Sequence, residues 1–155
     1  MNNIDLSQSL AEQVREAAAR KSPLAIRGSG SKRFLTGEPE GTMLDVTPHR
    51  GIISYEPTEL VITARAGTPL TEIEAALAEK NQMLGFEPPH FGPGATLGGT
   101  LACGLSGPRR PYAGAARGIV GGTLRINGRG EGLKCGGRGM TNEERFDVSR
   151  LMVGS

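Results

Sequence analysis

Two stretches of this chain carry almost no side-chain bulk, and they constrain its fold more than any other feature. One is Arg27-Gly28-Ser29-Gly30-Ser31-Lys32. The other runs from Ala95 to Gly107 and includes Thr96, Leu97, Gly98, Gly99, Thr100, Cys103, Gly104 and Ser106. Glycine loses more conformational freedom on folding than any other residue, so clustered glycines need a compensating interaction. The 24 glycines follow no triplet period, which excludes a collagen-like rod. A length of 155 residues leaves room for one domain with a moderate core.

Around these stretches the pattern is mixed α/β. Leu6, Leu10, Val14 and Ala17 or Ala18 recur every three to four residues, which predicts an amphipathic helix. Asp5 or Ser9 is available to cap it, and Ser22-Pro23 ends it. Short strands are predicted over 24–26, 43–46, 52–55 and 60–66. Thr68 reads as an N-cap with Pro69 at the first helical position, and Leu70, Ile73, Ala76 and Leu77 form the buried stripe of the helix that follows. Pro88-Pro89 marks the expected boundary between two lobes, about 1–88 and 89–155. The second lobe is predicted to hold a strand over 119–126, with a bulge at Gly121-Gly122. A turn at Asn127-Gly128, a strand over 132–135 and a short helix over 146–153 follow.

Charge and composition exclude several classes. The net charge is +2 and no basic face is evident, which argues against a nucleic-acid binder. No run of eighteen apolar residues is present, so no transmembrane helix is expected. The first ten residues lack a secretion signal. Cys103 and Cys135 stand far apart and form no CxxC, and His49 and His90 add no metal-ligand spacing. A reduced, cytosolic pair of thiols is the expectation. Cys103, set among small residues, reads as a buried small hydrophobe.

The chemistry concentrates in the two glycine-rich stretches. A strand that breaks into glycines and small hydroxyls at Gly28–Lys32 exposes successive backbone N–H groups, and such a nest suits a phosphate or pyrophosphate. A plain surface turn is the competing reading. The segment 96–107 lets backbone approach a bulky ligand closely, and its N-terminal amides are placed to face an anion. Tight packing is the alternative there, but small residues occupy every face. Arg109-Arg110 fits either a carboxylate or phosphate contact or an exposed basic corner. His90 fits a loop residue better than a general base.

These segments resemble the PCMH-type FAD-binding domain of the vanillyl-alcohol-oxidase flavoproteins. Within that family they are most similar to the FAD-binding subunits of bacterial glycolate oxidases. The likeness is carried by 26–32, by Tyr55-Glu56-Pro57-Thr58-Glu59-Leu60 through Leu70, by Phe86-Glu87-Pro88-Pro89-His90, by 101–111 and by 149–155. It implies an α/β (α+β) fold of two lobes with FAD between them. It also implies pyrophosphate on Gly28–Lys32, and the 98–100 and 103–107 segments along the cofactor. Some relatives attach FAD through a histidine in the first turn; the matching position here is Ser31, so binding is expected to be non-covalent. The implied activity is oxidation of glycolate, a small 2-hydroxy acid, to glyoxylate. The implied partners are a second FAD-binding subunit and an iron–sulfur subunit, in a cytoplasmic complex peripheral to the inner membrane.

Three departures stand out. Where relatives continue with Lys-Asn-Val-Ala-Gly-Tyr-Asp, this chain has Thr141-Asn142-Glu143-Glu144-Arg145-Phe146-Asp147, and weaker flavin binding is expected. Gly118 stands where relatives place an aspartate. The chain ends at Ser155 where relatives continue into a further strand and a substrate domain, so a truncated C-terminal part is expected.

Overall fold

The computed structural model describes residues 3–136 and 148–154. The divergent 141–147 segment lies outside them. Helix α1 (Ser7–Arg20) presents Leu10 to the interior and ends at Lys21, whose left-handed conformation returns N–H groups to the last turn. The Asp5 carboxylate accepts hydrogen bonds from the Ser7 N–H at 2.9 Å and the Ser7 hydroxyl at 2.7 Å. These bonds, with Arg65 beside them, hold the Asp5 carboxyl well below the usual carboxylate range. His49 Nδ1 accepts from the Leu6 N–H at 3.1 Å, and burial pushes its pKa down. The N-terminal segment is thus tied to the body of the fold.

Six strands form three two-stranded sheets among the described residues. β1 (Leu24–Arg27) and β2 (Thr42–Asp45) run parallel, joined through the short helix α2 (Arg33–Thr36). β3 (Ile52–Glu56) and β4 (Val61–Ala64) are antiparallel with an irregularity between Ile52 and Ser54. β5 (Gly122–Ile126) and β6 (Gly132–Gly136) form an antiparallel hairpin. Its turn is held by Asn127, whose side-chain oxygen accepts from the N–H groups of Arg129 and Glu131.

The remaining helices are α3 (Leu70–Ala78), α4 (Leu97–Cys103), α5 (Arg110–Ala113), α6 (Ala116–Ile119) and α7 (Val148–Leu151). Leu70 and Ile73 of α3 have no solvent exposure, and Ala76 and Leu77 join them. Burying each large side chain contributes roughly 1.5–3 kcal/mol. A second cluster packs Phe86, Ala116 and Val153. The starts of α3 and α4 are tied directly, with the Leu70 N–H bonded to the Ala95 carbonyl and the Leu97 N–H to the Thr68 carbonyl. That tie positions α4 beside the first glycine-rich loop.

Local details differ from the sequence expectation. Pro69 is the N-cap of α3 rather than its first helical residue. Thr68 is buried, and its hydroxyl accepts from the Gly51 N–H at 2.9 Å. β4 starts at Val61 because Leu60, left-handed, closes a tight turn over Pro57–Glu59. The expected strand over 119–126 begins only at Gly122, since Ile119 ends α6.

Candidate functional site

The two glycine-rich stretches meet. Arg27, Gly28, Ser29, Gly30, Ser31 and Lys32 share one cleft of about 290 Å³ with Thr96, Gly99, Ala102 and Cys103 of α4 and its cap. Contact is close: a Cβ built on Gly28 would lie 2.9 Å from the Thr96 hydroxyl oxygen. Glu38, Pro39 and Met43 complete the rim. Sequence reasoning missed these three, because only the parallel pairing of β1 with β2 brings them alongside.

The first loop is open to a ligand. Among the described residues, none of the backbone N–H groups from Gly28 to Lys32 meets an acceptor, and neither do the hydroxyls of Ser29 and Ser31. Lys32 is only 7% exposed, yet its ammonium has no partner among the described residues. Glu38, the nearest acid in the rim, is engaged by Arg33. The stem of Lys32 is buried while its ammonium keeps contact with solvent at the cleft, where an anion can meet it. Asp45, at the end of β2, does not supply that anion. Its carboxyl is held below the usual range by hydrogen bonds from the Thr47 N–H and hydroxyl, with a smaller pull from Arg27.

The second stretch is built differently. The expectation that its helix N-terminus faces an anion does not hold, because the first-turn amides are already bonded. The Leu97 N–H reaches the Thr68 carbonyl, the Gly98 N–H the Ala66 carbonyl at 2.8 Å, and the Gly99 N–H the Thr96 hydroxyl at 3.2 Å. Leu97, Gly98, Thr100, Gly104, Ser106 and Gly107 do not line the cleft. Gly98 presses on Ala66 and Gly107 on the Glu87 backbone, so their missing side chains permit packing. The Ser106 hydroxyl accepts from the Ala116 N–H at 3.0 Å, and Thr100 is fully buried. Cys103 is partly exposed at the cleft wall rather than buried, and both cysteines are free thiols.

A second cleft, about 340 Å³, is lined by Glu74, Met83, Leu84, Glu87 and Pro88. Its carboxylates are matched within the chain: Glu74 pairs with His90 at 2.9 Å, and Glu87 pairs with Arg109. His90 therefore anchors its loop to α3, and Arg109 braces the segment before α5. The open donors lie in the first cleft, beside Gly28–Lys32.

Among the described residues no cluster of His, Cys, Asp and Glu is arranged to hold a metal, and no helix is long and apolar enough to cross a membrane. A cleft whose amides, hydroxyls and lysine ammonium meet no partner among the described residues suits an anionic, phosphate-bearing cofactor. Residues 6–136 match the FAD binding domain family, and the chain belongs to it.

The chain is 56% identical over all 155 residues to glycolate oxidase subunit GlcE of Escherichia coli (strain K12), covering 44% of that protein. It is 23% identical over 150 residues, 96% of its length, to an uncharacterised FAD-linked oxidoreductase of Mycobacterium tuberculosis (strain CDC 1551 / Oshkosh), covering 32% of that relative. The chain thus spans less than half the length of these curated relatives. Among solved structures, alkyldihydroxyacetonephosphate synthase superposes with a TM-score of 0.72 at 18% identity, over 94% of this chain and 27% of that one. Wild-type Phl p 4.0202, a glucose dehydrogenase, gives 0.68 at 18% identity, over 81% and 26%. These two show the fold.

Proposed function

We infer that this chain is the FAD-holding part of a glycolate-oxidising flavoprotein subunit, with FAD bound non-covalently between two lobes near 1–88 and 89–155. The observation that carries the reading is Lys32, its stem buried and its ammonium without a partner among the described residues, beside five backbone amides that meet no acceptor there. Whole-chain similarity to the glycolate oxidase subunit supports the choice of substrate class. Ser31, rather than a histidine, in the loop supports non-covalent attachment.

In this reading the Gly28–Lys32 amides and the Ser29 and Ser31 hydroxyls donate to the diphosphate oxygens, and the Lys32 ammonium neutralises their charge. Thr96, Gly99 and Cys103 line the same cleft from α4 and its cap. The cleft is at the small end for ligand sites, so it takes the diphosphate and leaves the flat rings outside it. FAD, when bound, supplies an acceptor for the hydride of a 2-hydroxy acid. A second FAD-binding subunit and an iron–sulfur subunit are the proposed partners, in a cytoplasmic complex peripheral to the inner membrane.

The test is direct. The purified chain is mixed with FAD, passed through gel filtration and examined for visible flavin absorbance. Denaturation with acid should then release all the flavin. Colourless protein would overturn the reading, and flavin that stays with the denatured chain would overturn non-covalent attachment. Glycolate added to the assembled complex should bleach the flavin, and its failure to do so would remove glycolate as substrate.

A further inference from the structure

We propose that Cys103 is a cofactor-guarded thiol: when FAD is absent, the anion-binding groups of the cleft draw a small anionic disulfide onto it. The inference rests on the assignment of the cleft to FAD and adds a means of regulating it. Cys103 ends α4, is partly exposed, and lines the same cleft as Lys32. By itself a thiol in a cleft means little. What gives it direction is Lys32, more than nine-tenths buried, unpartnered among the described residues, and placed in the same lining. The groups that suit a diphosphate suit the carboxylates of an anionic disulfide equally well.

The chemistry is thiol–disulfide exchange. The Cys103 sulfur, as thiolate, attacks one sulfur of a low-molecular-weight disulfide such as oxidised glutathione. A new S–S bond forms to Cys103, the original S–S bond breaks, and the departing thiolate takes up the proton that Cys103 released. No net electrons enter or leave. The adduct would fill a cleft of about 290 Å³, so the mixed disulfide and FAD exclude one another. By linkage, bound FAD must protect the thiol to the same degree that the adduct blocks FAD.

Cys135 provides an internal control. It is also free and partly exposed, but it lies on β6, outside the cleft lining. The experiment follows both cysteines of the apo chain by mass mapping, with dianionic dithiobis(nitrobenzoate), oxidised glutathione and dicationic cystamine as probes. The anionic-to-cationic rate ratio should be about tenfold larger at Cys103 than at Cys135, and should fall as salt is added. Saturating FAD should slow Cys103 by about tenfold or more, in line with a competitive occupant, and leave Cys135 unchanged. Glutathionylated chain should take up no FAD until a thiol reductant restores it, and Cys135→Ser should behave as the unmodified chain does.

Equal ratios at the two cysteines would overturn the proposal. So would a Cys103 that reacts only after denaturation. Flavin retained on gel filtration while Cys103 keeps its apo rate would sink this inference and spare the FAD assignment. No flavin retention at all would remove both.

Discussion

The two glycine-rich stretches look alike as sequence and serve opposite ends as structure. Among the described residues, Gly28–Lys32 keeps its amides unbonded and its lysine unpaired. The stretch from Thr96 to Gly107 spends its donors internally and uses small size to let α4 approach Ala66 and the Glu87 backbone. The first leaves donors open at the cleft; the second bonds its own and forms the facing wall through Thr96, Gly99, Ala102 and Cys103. Small residues therefore mark close approach, and only the fate of the donors tells whether the neighbour is solvent-side ligand or protein.

The sharpest way to break this comparison is Gly107→Ala. Its Cβ would lie 2.4 Å from the Glu87 carbonyl oxygen, so backbone must move. Stability should fall by about 3 kcal/mol, the upper end for overpacking, in urea unfolding. A neutral result would show that the second stretch is not packed as described. Lys32→Met should do the reverse, weakening FAD binding by roughly 10- to 100-fold, as for loss of a charged hydrogen bond. The apo chain should lose little stability, because methionine keeps the buried apolar stem and the ammonium has no partner among the described residues. A destabilised apo chain with normal FAD affinity would reassign Lys32 to structure.

How much of this was legible in the sequence follows from the range of the interactions involved. The strand that breaks at Gly28, the α1 periodicity and the α3 stripe of Leu70, Ile73, Ala76 and Leu77 are local patterns, and each appears where expected. The partners of Gly98 and Gly107 are distant in the chain, so no local pattern could separate packing from ligand contact there. Burial of Lys32 ran against the ordinary behaviour of lysine, which is almost never buried unless paired. Thr68 looked like a cap and instead bonds Gly51, a contact set by tertiary structure.

Thr96 belongs to both regions, since it caps α4 and stands against Gly28. Thr96→Ala should therefore cost about 1 kcal/mol of stability and also weaken FAD, whereas a change in one alone would separate cap from cleft. A smaller effect is expected outside both stretches, at His49. Burial lowers its pKa from 6.5, so the neutral form is favoured in the folded state. Its contribution is present above pH 6.5 and lost as pH falls through the lowered folded value, where a proton on Nδ1 displaces the Leu6 N–H. His49→Gln should flatten that part of the stability–pH curve without changing FAD affinity; an unchanged curve would exclude His49 as its source. Smallest of all, Gly118 has open space where a Cβ would go, so Gly118→Ala should stabilise by about 0.5 kcal/mol in the same unfolding assay. Any loss would mean that the glycine is needed there.

Amide resonances of the isotopically labelled chain, followed as FAD is added, separate the two stretches most directly. Those of Gly28, Ser29, Gly30, Ser31 and Lys32 should move strongly on saturation, while Leu97, Gly98 and Gly99, bonded already, should shift little. Large movements centred on 97–99 with 28–32 unchanged would contradict the assignment of the diphosphate to the first loop.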